Sequence, residues 1–70
     1  MIFSISNEKK RSAALNGVAA CEEDVFMACM SLNIDPASVA DDYSSDDPSY
    51  AVLSDAMQKL RDAKAYLAAL

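Results

Sequence analysis

The chain has 70 residues, a formal net charge of −5 and no histidine. That length makes one domain at most, and the acidic balance disfavours indiscriminate binding to nucleic acid. So short a chain buries a small core and leans on disulfides, a metal or a partner chain. Two cysteines without histidine do not make a four-ligand zinc site, so no metal or other cofactor is expected.

The opening MIFSIS is six residues long and lacks the basic start and long apolar run of a signal peptide. No apolar run approaches the ~20 residues that span a bilayer. A cytoplasmic protein with no membrane association is expected. Ser6 is placed as an N-cap with Ile5 as a staple residue, and Glu8 suits the first turn of a helix. The first helix should run from about 7 to 33. Gly17 weakens its middle by roughly 1 kcal/mol relative to alanine, and leaves open a kink or a break there.

Cys21 and Cys29 stand on this helix, roughly 12 Å apart along its axis at about 1.5 Å per residue. That is too far for a bridge within one chain, so both read as reduced, apolar thiols. With the disulfide excluded, a partner chain remains as the source of extra stability.

Asp35-Pro36 reads as an N-cap followed by the first helical position, starting a short turn at about 36–40 that Val39 pins to the core. DDYSSDD, residues 41–47, is an acidic loop. Asp47-Pro48 repeats the cap signature, and a second helix should occupy about 48–69. The hydrophobic fraction of 53% with a single glycine is a helix-forming composition. The predicted fold is all-α, a single domain over 1–70 built as an antiparallel helical hairpin.

Heptad spacing places Leu15, Val18, Glu22, Val25, Cys29 and Leu32 on one seam of the first helix. On the second it gives Tyr50, Leu53, Met57, Leu60, Lys64 and Leu67. Each seam carries one charge. Folded antiparallel, Glu22 and Lys64 fall in neighbouring layers roughly 5 Å apart, which predicts a register-setting pair. Such a pair is often no more stable than two leucines, but a slipped alignment would strand a charge. The alternative is that both groups snorkel to solvent.

Apolar residues extend beyond one seam. Phe26, Met30, Val52, Leu67 and Leu70 are the candidate dimer interface, giving a four-helix bundle with twofold symmetry, across which Ile2 and Phe3 could exchange. Charge is sorted along the hairpin too. Lys9, Lys10, Arg11, Lys59, Arg61 and Lys64 fall in one half, and the loop aspartates at the opposite tip. Asp41, Asp42, Tyr43, Asp46 and Asp47 are the candidate docking patch for a basic protein partner.

Catalytic signatures are missing: there is no histidine, glycine-rich phosphate loop or nucleophile motif. Glu22, Glu23 and Asp24 point in different directions around a helix and build no acid/base pair. The loop begins like a calcium site at Asp42, Ser44 and Asp46, but Asp47 replaces the required glycine and Leu53 the bidentate glutamate. SLNIDPASVADDY resembles the turn of a helix-turn-helix, yet its second helix would present Asp41 and Asp42 to phosphates. Specific nucleic-acid binding is therefore not expected.

The expected function is a non-enzymatic protein-interaction module, a homodimer acting as a regulator or inhibitor of an unidentified protein. In size and composition it suggests an accessory protein of a phage or mobile element. The alternatives are a nucleic-acid-associated regulator using Lys9, Lys10, Arg11, Lys59 and Arg61, or an acidic mimic of nucleic acid.

Overall fold

The computed structural model describes residues 7–70. Among them the chain is all-helical, with no strand: α1 (Asn7–Leu32) and α2 (Ala51–Ala69) are linked through two single 3-10 turns, Pro36–Ser38 and Pro48–Tyr50. The helices pack against each other as a hairpin. They run antiparallel. Lys9 and Lys10, at the start of α1, share a groove with Tyr66 near the end of α2, while Ser31 near the end of α1 lies beside Val52 at the start of α2. The Ser6 cap, the Ile5 staple and the exchange of Ile2 and Phe3 lie outside the described residues.

α1 passes through Gly17 without a break. It ends where Asn33 takes a left-handed φ of 58°, a conformation asparagine tolerates better than most residues. The Asn33 N–H donates to the Met30 carbonyl (3.2 Å) and the Ile34 N–H to the Cys29 carbonyl (2.8 Å). This reciprocal pair satisfies the last carbonyls of the helix and turns the chain back. Ile34 then packs on the core, as the motif favours.

Both Asp-Pro signals act as caps. Asp35 accepts from the Ala37 N–H (3.0 Å) and Asp47 from the Ser49 N–H (2.9 Å), each with proline just inside the turn. The Pro48–Tyr50 turn leads directly into α2.

The core is gathered at the loop end. Val25, Ala28 and Cys29 of α1 meet Leu53, Ala56, Met57 and Leu60 of α2, with Leu32, Ile34, Val39 and Tyr43 packed around them. Cys29 and Leu53 are fully buried. Toward the open end only Ala14 joins them among the described residues.

The buried face of α1 differs from the heptad seam expected from the sequence. Val18, Val25, Cys29 and Leu32 do face α2, but Ala14, Cys21 and Ala28 complete the stripe, whereas Leu15 is 51% exposed and Glu22 is exposed. On α2 the face is rotated the same way: Ala56 is buried and Ala63 half-buried, while Tyr50 and Lys64 are exposed. The magnitudes favour this arrangement. Keeping Leu15 half in water forfeits at most about 1–2 kcal/mol, whereas desolvating a carboxylate and an ammonium costs several kcal/mol each. Alanines at the contact also let the helix axes approach.

Leu53→Ala should therefore destabilise the fold by about 2–5 kcal/mol in urea unfolding, and Glu22→Gln should stay within about 0.5 kcal/mol. A loss from Glu22→Gln comparable to that from Leu53→Ala would mean the carboxylate is part of the seam.

Candidate interaction surfaces

Rotation of the seam leaves two flanks to the hairpin, and the connection covers one of them. On this loop flank Glu22, Phe26, Met57 and Lys64 line a shallow groove with Pro36, Val39 and Asp41 of the connection along its edge. Glu22 and Lys64 thus share a groove, but no side-chain hydrogen bond or ion pair joins them among the described residues. Both are exposed. Phe26 and Met30 lie on this side of α1, each more than half exposed.

The opposite flank carries no loop. Near the loop end it is lined by Asp24, Met27, Val52, Asp55 and Lys59. Toward the open end Lys9, Lys10, Ala13, Gly17, Ala63 and Tyr66 line it. Met27, Val52 and Tyr66 are each more than half exposed.

The five residues expected to form one dimer interface are thereby divided. Phe26 and Val52 line different grooves, and Leu67 and Leu70 are half-buried near the end of α2. Met27 and Tyr66 were missed by the sequence reading. The signal for them lay in the breadth of apolar spacing on both helices, which a single heptad seam does not use up.

The loop is held from beneath. The Arg61 guanidinium donates to the Tyr43 carbonyl (2.8 Å) and the Asp41 carbonyl (3.2 Å), and is itself steadied by Gln58 Oε1 (2.8 Å). The Ser45 N–H donates to Ser54 Oγ (3.2 Å). Tyr43 is half-buried and packs on the core, so its ring belongs to the fold more than to a free docking surface. Asp47 serves as a cap. Asp41, Asp42 and Asp46 remain exposed. Arg61, bound to the loop, does not form one basic surface with Lys59, which lies on the other flank.

Among the described residues, no group of three or more metal-ligating side chains comes together, and no helix is long and apolar enough to cross a membrane. Burial pushes the Cys29 thiol above its ordinary value of 9.0, with Asp35 adding to the shift. Cys21 is half-buried. No family model, curated protein or solved structure matches the chain.

Two outcomes follow for these groups. Arg61→Met should speed amide exchange across 41–45 by about tenfold or more, with the loss of its two charge-assisted hydrogen bonds to the loop, while exchange in the helix interiors is unchanged. For Cys29 the folded state holds the thiol proton more tightly than the unfolded state. Its contribution to stability is thus complete below pH 9.0 and is lost as pH rises through the higher folded value. The alkaline fall in stability should be shallower in Cys29→Ala, as read by urea midpoints at successive pH values.

Proposed function

We propose that the chain is a non-enzymatic helical interaction module that works as a homodimer, two hairpins packed into a four-helix bundle, and acts by binding another protein. The observation that carries this reading is the sorting of large exposed side chains onto helix flanks. Phe26 and Met30 stand on one side, and Met27, Val52 and Tyr66 on the other, beside a core gathered at one end. Exposed apolar patches rimmed by charge mark association surfaces.

The exposed carboxylates Asp41, Asp42 and Asp46 suit a basic protein partner at the tip, presented on a loop whose backbone is fixed by Arg61.

Sedimentation equilibrium at micromolar concentration should give a mass of two chains. A mass of one chain across that range would overturn the homodimer.

A further inference from the structure

We infer that the open flank is where the second copy of this chain docks, antiparallel about a twofold axis, with Lys10 of each hairpin against Asp24 of the other. This rests on the homodimer reading and specifies its geometry.

The strip that α1 presents to this flank has a symmetry of its own. Lys10, Ala13, Gly17, Ala20 and Asp24 follow a 3-4-3-4 spacing, so they share one face of the helix. Lys10 and Asp24 each stand seven residues from Gly17, about 10 Å on either side. A twofold axis beside Gly17 therefore brings each lysine opposite the partner's aspartate, two contacts from one operation. Space exists at the axis: a Cβ on Gly17 would meet nothing within 4 Å.

On α2, Tyr66 lines the groove beside Gly17 as well as Lys9 and Lys10, so the same rotation leaves it near the axis, while Val52 and Asp55 share the end held by Met27 and Asp24. Lys59 also lines the acidic end, four residues after Asp55 on α2, and two carboxylates against one ammonium leave that end acidic.

The loop flank offers less to a twin. The connection already occupies its edge through Pro36, Val39 and Asp41, and Glu22 and Lys64 stand within its groove. Those features leave it for a different partner.

The test is a charge swap read by sedimentation equilibrium, with circular dichroism confirming that each variant stays helical. Lys9→Glu/Lys10→Glu and Asp24→Lys/Asp55→Lys should each weaken self-association at least about tenfold, since like charges would then face each other at both ends. Mixed one to one, the two variants should associate about as tightly as the wild type, because every facing pair is again opposite in sign. Phe26→Glu/Met30→Glu should leave dimerisation unchanged. Charge variants that dimerise like the wild type, a mixture that fails to recover, or loss of the dimer in Phe26→Glu/Met30→Glu would each overturn this geometry while leaving a homodimer standing. A wild-type monomer would overturn both.

Discussion

Two helices in a hairpin can bury only one face each, and here the choice of face on α1 is governed by Glu22. A seam through Leu15 and Glu22 would gain a leucine and strand a carboxylate. The seam through Ala14, Cys21 and Ala28 gives up part of that leucine and keeps the carboxylate in water. Because desolvating a charge outweighs half a leucine side chain, α1 rolls by well under one residue, keeping Val18, Val25, Cys29 and Leu32 in the contact, and Lys64 leaves the seam of α2 in the same movement. What lies on the loop flank, what lies on the open flank and how closely the helices approach all follow from that roll.

The connection shows how one acidic segment divides its labour. Asp35 and Asp47 satisfy backbone donors at the starts of two turns, so their charges are structural. Arg61 binds the backbone of the loop and not its carboxylates. This leaves Asp41, Asp42 and Asp46 free at the surface of a segment that is otherwise fixed. A preformed loop loses less conformational entropy on binding than a floppy one, which suits the docking role proposed for it.

Legibility differed by feature. Local chemistry spoke clearly in the Asp-Pro pairs, which fixed where the turns start, and in the alanine-rich spacing of α2. The hairpin itself was readable from two apolar helices joined by a connection long enough to fold them back on each other. The face of α1 was not. Its two competing stripes share Val18, Val25, Cys29 and Leu32 and differ in whether Leu15 and Glu22 or Ala14, Cys21 and Ala28 fill the rest. Periodicity scores them alike, and only the relative costs of burying Glu22 and exposing Leu15 separate them. With Glu22 on the seam, pairing with Lys64 and snorkelling at its edge both stay open, and Phe26 reads as continuous with Val52. Tyr43 packs on the core while half-exposed, and sequence alone does not separate its two roles, since an aromatic in a polar loop serves equally well as bait for a partner or as a lid on the core.

The core's position toward one end has a dynamic consequence. From Val25 to Leu60 the hairpin is closed by buried side chains and by the strapped loop, but toward Lys9 and Tyr66 little more than Ala14 is buried among the described residues. Opening free energies follow local burial, so hydrogen exchange should grade along the rod, from slow at the loop to fast at the free ends. In the proposed antiparallel pair the firm end of one hairpin lies along the loose end of the other. Each copy would then splint its twin, and fraying would diminish with concentration.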